Sequence, residues 1–217
     1  MAADGTLLEV LAEARRAGFL GPGPLEAQLR HAEGFAEIAR SLDSGAGLRM
    51  LDLGSGGGLP GLVVARGWPE ASLVLLDAST RRTAFLRHAV ERLGCQDWVE
   101  VLCGRAEELG RDPQRRGAFE AVLARSFGRP AVVAECAAPF LQVGGWLVVS
   151  EPPGPEEGEE RSAEGNDRWP AAGLAPLGMV TEGSCRTEFS FRIIRQAELC
   201  PDRFPRRNGV PAKKPLF

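Results

Sequence analysis

The chain has 217 residues, 44% of them hydrophobic, which is enough to bury one good core with a small appendage. Its net charge of −3 does not indicate a general nucleic-acid-binding protein, and its five scattered cysteines predict neither a zinc site nor a disulfide framework. The sequence shows no signal peptide and no long apolar run, so we expect a cytoplasmic protein without a membrane segment and without a metal.

Two amphipathic helices are predicted ahead of the first strand. Apolar residues repeat with a helical period over residues 7–19 and again over residues 24–42, and glycine and proline separate the two runs. We therefore expect residues 1–45 to form a helical extension of a main domain that covers residues 46–217.

The main domain begins with a predicted junction of strand, turn and helix. A short apolar run over residues 48–53 is followed by a cluster of glycines and then by Pro60, a residue favoured near the start of a helix. Glycines in such a turn allow positive φ angles and leave the backbone amides open to a ligand.

The spacing of the glycines is compatible with two ligands. Gly56, Gly58 and Gly61 match the dinucleotide pattern G-x-G-x-x-G, which is a weak signal alone. An acid followed by three alternating glycines resembles the motif of Rossmann-like S-adenosylmethionine-dependent methyltransferases, and here it consists of Asp52, Gly54, Gly56 and Gly58. In this second register, backbone groups face the methionine part of the cofactor, and Asp52 reaches its ammonium group directly or through water.

Two further segments are candidates for the nucleoside part of the cofactor. Asp77 ends the second predicted strand, and its place one helix and one strand beyond Gly54 lets its carboxylate accept hydrogen bonds from both ribose hydroxyls. A helix N-cap is the alternative role of Asp77. After the third predicted strand, over residues 98–102, Ala106 and Glu107 are candidates for binding the adenine, while a solvated acid at a helix start explains Glu107 equally well.

The rest of the chain continues the alternation of strands and helices. A fourth strand is predicted over residues 117–124, a helix over 130–141 and a fifth strand over 146–150. This rhythm predicts an α/β fold of the Rossmann-like class I methyltransferase type, a mostly parallel sheet with helices on both faces. Beyond it we expect an exposed acidic loop over about residues 151–168, a strand over 189–194 and a mobile basic tail over 203–217 that can touch an RNA backbone.

Several of these segments together resemble one family, the small-subunit ribosomal RNA guanine-N7 methyltransferases called RsmG or glucose-inhibited division protein B. The segments that carry the likeness are residues 51–61, 76–86, 105–108, 125–127 and 204–216. The resemblance implies S-adenosylmethionine as the cofactor, ribosomal RNA or the small ribosomal subunit as the partner, and methyl transfer to N7 of a guanine in 16S ribosomal RNA.

The resemblance also implies roles for individual residues. It assigns cofactor contacts to Gly54, Leu59, Ala106, Glu107 and Arg125, and it places Arg125, the candidate catalytic residue, near the target base as well. The chain departs from the family pattern at two places: the predicted N-terminal helices lack a Trp-Asn and Asn-Leu-Thr segment, and a Glu-Pro-Pro-Gly sequence follows the fifth strand where the family tends to have Lys-Gly. A small-molecule methyltransferase, a diverged paralogue acting on another RNA and a non-catalytic binding protein therefore stay open.

The motifs that other acceptors require are missing. A pyrimidine carbon needs a cysteine in a Pro-Cys setting, and an exocyclic amine is commonly handled by an Asn/Asp-Pro-Pro-aromatic loop, whereas the fourth strand here ends in Arg125, Ser126 and Phe127. Guanine N7 already presents a lone pair and loses no proton, so a site without a general base is sufficient. We expect Arg125 to bind the cofactor carboxylate or a phosphate, Phe127 either to stack on the base or to belong to the core, and the protein to act as a monomer.

Overall fold

A computed structural model describes residues 5–42, 47–152, 168–186 and 188–217. The helices are α1 (Gly5–Arg16), α2 (Leu25–Ser41), α3 (Gly61–Gly67), α4 (Thr80–Arg92), α5 (Ala106–Leu109), α6 (Pro130–Ala137), α7 (Ala171–Leu174) and α8 (Val210–Lys213). The strands are β1 (Arg49–Leu53), β2 (Ser72–Asp77), β3 (Val99–Cys103), β4 (Phe119–Ala124), β5 (Leu141–Glu151), β6 (Met179–Arg186) and β7 (Ser190–Gln196). Single turns of 3₁₀ helix, Ala138–Phe140 and Ala175–Leu177, follow α6 and α7.

Within the described residues the strands form one sheet in the order β3-β2-β1-β4-β5-β7-β6. The first five strands run parallel, and β7 and β6 add an antiparallel edge. The predicted Rossmann-like class I methyltransferase fold is confirmed. The strand order reverses between β1 and β4, and in open α/β sheets of this kind ligands bind outside the carboxyl ends of the strands at that point.

The sheet is parallel and buried because its central strands are apolar on both faces. In the described part of the chain the buried apolar residues form two clusters, one on each face: Met50 belongs to the first, and its neighbour Leu51 to the second. Leu11 and Phe35, from α1 and α2, lie in the first cluster and are fully buried. The N-terminal helices thus share the core of the sheet, and the division of the chain near residue 45 stays a prediction.

One strand is longer than predicted, and another was not predicted. β5 starts at Leu141 instead of residue 146, because the glycine pair that predicted a turn, Gly144 and Gly145, lies inside the strand. β6 was not predicted: it is an edge strand with mostly exposed residues, so its sequence lacks the apolar alternation of a half-buried strand. Most of the predicted acidic loop lies outside the described residues.

The basic C-terminal segment is docked on the domain, so the expectation of a mobile tail is wrong. Glu135 on α6 is fully buried, and its carboxylate accepts hydrogen bonds from the backbone N and the Nε of Arg206, both at 2.8 Å. Asn208 donates to Glu108, and the backbone N of Gly209 donates to Oε1 of Glu107 at 2.9 Å. These contacts hold the segment against α5 and α6, and they provide hydrogen bonds to the buried carboxylates of Glu107 and Glu135.

Candidate active site

The loop that follows β1 is fixed to its neighbours by backbone groups. The amides of Gly54 and Ser55 both donate to the carbonyl of Leu76 on β2, at 2.8 and 2.9 Å. Gly54 has a φ of +75°, a left-handed conformation that favours glycine. The loop therefore crosses the carboxyl ends of β1 and β2 and is hydrogen-bonded to β2.

Asp52 lies beneath this loop with only 1% of its surface exposed. Its Oδ2 accepts a hydrogen bond from the amide of Gly61, the first residue of α3, at 3.0 Å. Burial raises the pKa of Asp52 to about 7, an effect that the hydrogen bond from Gly61 opposes. In the structure, Asp52 joins the end of β1 to the start of α3.

Asp77 holds the glycine loop from the other side. Its carboxylate is 5% exposed, and it accepts hydrogen bonds from the amides of Gly56 and Ser79, at 2.9 and 2.8 Å. The guanidinium of Arg82 lies 3.5 Å from Oδ2. The N-cap of α4 is Ser79 and not Asp77, so the alternative role considered for Asp77 is filled by another residue.

The larger of two neighbouring cavities, of about 380 Å³, opens above the glycine loop. One wall is the loop itself, and the other consists of Arg125, Ser126 and the N-terminal region, where residues 19–22 and Gln28 contribute. Gln28 accepts a hydrogen bond from Arg125 at 3.3 Å and donates one to the carbonyl of Gly21 at 3.1 Å. The helices ahead of the sheet are therefore part of this cavity.

A smaller cavity of about 60 Å³ lies over β2 and β3 and meets the larger one at Gly54. Its lining includes Asp77, Ala106, Glu107 and Phe127. The ring of Phe127 rests on Gly54 so closely that a Cβ at that position would lie 2.4 Å from the ring. The junction of the two cavities therefore accommodates only glycine.

The segment after β4 contributes residues to two different cavities. Ser126 has a φ of +56° and is the one non-glycine residue of the described ranges with a positive φ. This turn leaves Arg125 in the larger cavity and Phe127 in the smaller one. Burial lowers the pKa of Arg125, and the charge of Asp52 opposes that shift.

A third cavity, of about 320 Å³, lies beside the first two. It shares Ser126 with the larger cavity and Phe127 with the smaller one. His31 lines it and stacks on Phe189, with 4.6 Å between the ring centroids. Burial and the charge of Arg125 lower the pKa of His31 to about 4, so this imidazole is neutral at pH 7.

Most of the residues predicted to bind a cofactor line one of the first two cavities. The larger cavity is lined by Gly54, Gly56, Leu59 and Arg125. The smaller cavity is lined by Gly54, Asp77, Ala106 and Glu107. Asp52 and Gly58 line neither of them: a Cβ on Gly58 would lie 2.3 Å from the side chain of Leu62, so this glycine is needed for packing.

The sequence did not indicate the contribution of the N-terminal region. Phe19, Leu20 and Gln28 line the larger cavity, but their positions fit an ordinary helical period and a turn. Arg82 also lines it, and the sequence singled it out only as part of the segment 76–86 that resembles the family. Among residues 5–42, 47–152, 168–186 and 188–217, no group of three or more histidine, cysteine or acidic side chains is placed to hold a metal, and no helix is both long and apolar enough for a membrane span.

Comparison with known proteins gives matches over most of the chain. The model of a family described as rRNA small subunit methyltransferase G matches residues 25–161. Curated relatives named ribosomal RNA small subunit methyltransferase G include one from Moorella thermoacetica, 34% identical over 77% of this chain and 69% of its own length. Another, from Rubrobacter xylanophilus, is 35% identical over 95% of this chain and 80% of its own length.

Solved structures of methyltransferases share the fold. An O-methyltransferase from Bacillus cereus in complex with SAH has a TM-score of 0.62 and 19% identity, covering 90% of this chain and 92% of its own. A putative O-methyltransferase from Klebsiella pneumoniae has a TM-score of 0.61 and 17% identity, covering 90% of this chain and 91% of its own. At these identities the likeness concerns the fold alone.

Proposed function

The chain belongs to the rRNA small subunit methyltransferase G family, and we propose that it uses S-adenosylmethionine to methylate N7 of a guanine in small-subunit (16S) ribosomal RNA. One structural observation carries the proposal. Two cavities meet at Gly54 at the switch point of the sheet, and a buried carboxylate, Asp77, lines one of them beside the glycine loop.

The polar groups of the smaller cavity match the adenosyl part of this cofactor, which needs more room than 60 Å³, so the cavity must widen when the cofactor binds. The ribose hydroxyls are donors, and Asp77 is an acceptor whose two oxygens are already oriented by the amides of Gly56 and Ser79. In the smaller cavity Ala106 supplies a backbone amide and Glu107 a carboxylate, of which Oε1 is occupied by Gly209. We assign Oε2 of Glu107 to the exocyclic amine of adenine.

The methionine part fits the larger cavity. Arg125 lines this cavity with a guanidinium that one hydrogen bond to Gln28 orients, so it can bind the cofactor carboxylate. Gly56 and Leu59 line the same cavity beside it, and Asp52 supports the loop from below. When bound, the sulfonium supplies an electrophilic methyl group.

Guanine N7 suits this site because no proton has to be removed. The task of the chain is then to align donor and acceptor, which fixed backbone and packed side chains accomplish. Arg125 is engaged on the cofactor side, where the cofactor carboxylate offsets its positive charge.

A small-molecule methyltransferase is the second candidate. The net charge of −3 favours it over a protein that binds RNA by overall electrostatics. With ribosomal RNA as the substrate, we further propose a monomeric enzyme of the cytoplasm. The two candidates predict different acceptors for the same cofactor site.

The experiment is methyl transfer from labelled S-adenosylmethionine by the purified chain to small ribosomal subunits from a strain that lacks the gene. We expect label in ribosomal RNA, and a mass map of its nucleotides should locate one 7-methylguanosine. Label in metabolites together with none in RNA would select the small-molecule enzyme. Calorimetry with S-adenosylhomocysteine separates both from a protein that binds no cofactor.

A further inference from the structure

We propose that the third cavity receives the acceptor guanine and that the carboxylate of Glu151 accepts hydrogen bonds from the N1–H and the 2-amino group of that base. The inference rests on the proposed function and names the side chain that selects the substrate in this chain, where Glu-Pro-Pro-Gly follows the fifth strand in place of the family's Lys-Gly. The residues that carry it are His31, Ser126, Phe127, Glu151 and Trp169.

The first argument is the place of the cavity. It shares Ser126 with the cavity proposed for the methionine part of the cofactor and Phe127 with the one proposed for the adenosine part. A group bound in it is therefore adjacent to both parts. Its volume of about 320 Å³ is within the range of small-ligand sites, which begins at about 300 Å³.

The second argument is the lining. Phe127 and His31 contribute flat rings, on which a nucleobase can stack. The Nε2 atom of His31 is buried and has no hydrogen-bond partner among the described residues. Because this atom is closed off from solvent, His31 contributes its ring to the cavity and not a hydrogen bond to the base.

The third argument is the orientation of Glu151, which ends β5 and whose side chain is only 14% exposed. Its Oε1 accepts from the indole nitrogen of Trp169 at 2.9 Å, and its Oε2 accepts from Arg168 at 2.7 Å. Each carboxylate oxygen has two lone pairs, so each keeps one after these bonds are made. The two donors fix the carboxylate, and in the proposal its remaining lone pairs are the acceptors that face the cavity side by side.

This pair of acceptors matches guanine and no other common RNA base. Guanine presents two neighbouring donors, N1–H and the 2-amino group, on its Watson–Crick edge. Adenine and cytosine present a donor beside an acceptor, and uracil presents one donor between two acceptors. A carboxylate that faced adenine, cytosine or uracil in this way would meet the lone pair of an acceptor, which repels it.

The charge of Glu151 also suits the reaction. Methylation at N7 places a positive charge on the base, and a carboxylate held in a partly buried cavity stabilises a charge that develops beside it. His31 is neutral at pH 7 and does not oppose that charge, whereas Arg168, which also lines the cavity, partly offsets the charge of Glu151 through their ion pair. Glu151 is thus expected to act on both base selection and rate.

The test compares Glu151→Gln with the unchanged protein on small subunits reconstituted with guanosine or inosine at the mapped nucleotide. Inosine keeps N1–H and N7 but lacks the 2-amino group. We expect the unchanged protein to prefer guanosine about tenfold in kcat/KM, and Glu151→Gln to lose about 10- to 100-fold on guanosine together with that preference. Its affinity for S-adenosylhomocysteine should stay within about twofold. Glu182→Gln, which removes a carboxylate ion-paired with Arg195 on the sheet edge, is the matched control.

A Glu151→Gln variant with the original activity, or with the original preference for guanosine, would overturn the proposal. If that variant lost cofactor binding, Glu151→Asp would decide, since a retained carboxylate must then retain the preference for guanosine. Failure of the unchanged protein to methylate either substrate, with S-adenosylhomocysteine bound, would instead refute the proposed function, and this inference with it.

Discussion

Replacement of Arg206 by alanine should destabilise the whole fold, although the residue lies in a segment whose sequence predicts a mobile tail. Arg206 makes a two-pronged ion pair with Glu135, whose carboxylate is 0% exposed, and its side chain is itself largely shielded from water. Removing one partner of a buried pair leaves an uncompensated charge, which typically costs about 3–5 kcal/mol. The backbone amide of position 206 still donates to Glu135 in the variant, so we expect the lower end of that range, about 3 kcal/mol.

The assay is equilibrium unfolding in urea, followed by circular dichroism and by tryptophan fluorescence. Arg207→Ala, an exposed neighbour in the same segment, is the matched control. The double variant Arg206→Ala, Glu135→Gln should recover part of the lost stability, because the orphaned charge is then absent. A loss below about 1 kcal/mol for Arg206→Ala would refute the reasoning, since that is the range of a surface ion pair.

Three further predictions concern the site. Asp77→Asn should weaken binding of S-adenosylhomocysteine by about 1–3 kcal/mol in calorimetry, because an amide nitrogen cannot accept the hydrogen bonds that a carboxylate accepts. Gly54→Ala should lower the free energy of unfolding by about 1–3 kcal/mol, since the new Cβ meets the ring of Phe127 at a positive φ. The pKa of His31 is lowered from 6.5 to about 4 in the folded protein. As the pH falls, the unfolded chain is therefore protonated before the folded one. As the pH falls from 6.5 towards 4, urea unfolding should show the protein losing up to about 3 kcal/mol relative to His31→Gln.

Each of these has a control and a contradicting outcome. Asp202→Asn changes an exposed carboxylate, and equal cofactor affinity of the Asp77 and Asp202 variants would exclude a ribose contact. Gly183→Ala adds a Cβ in open space, and it should be tolerated where Gly54→Ala is not. His88→Gln is the exposed match for His31, and parallel stability curves for the His31 variant and the unchanged protein between pH 4 and pH 7 would contradict the burial argument.

The sequence predicted the central sheet well because its strands are buried on both faces. A short apolar run such as Leu73–Leu76 is typical of a strand that is buried on both faces. Asp77 marks the point where the run meets a ligand or solvent. The edge strand β6 escaped prediction for the opposite reason, since its exposed residues carry no periodic signal.

The candidate site was predictable only where backbone geometry restricts residue type. Gly54 and Gly56 have positive φ angles and line a cavity, and such positions leave a mark in the sequence. Gln28 and Glu151 leave none, because glutamine on a helix and glutamate after a strand occur for many reasons. Their roles arise from contacts across the fold, to Arg125 and to Trp169. Glu107 belongs to both groups: its position was predicted, but its bond to Gly209 was not.

The meeting of three cavities at Gly54, Ser126 and Phe127 limits how the protein can change. A substitution at any of these three residues alters at least one of the cavities proposed for the cofactor, so it offers no route to a new acceptor with the old donor retained. The outer walls do offer such a route, since Glu151 and His31 each line only the third cavity. Relatives with altered acceptors should therefore have diverged at the outer walls and kept these three residues. Engineering of new acceptors should begin at the outer walls.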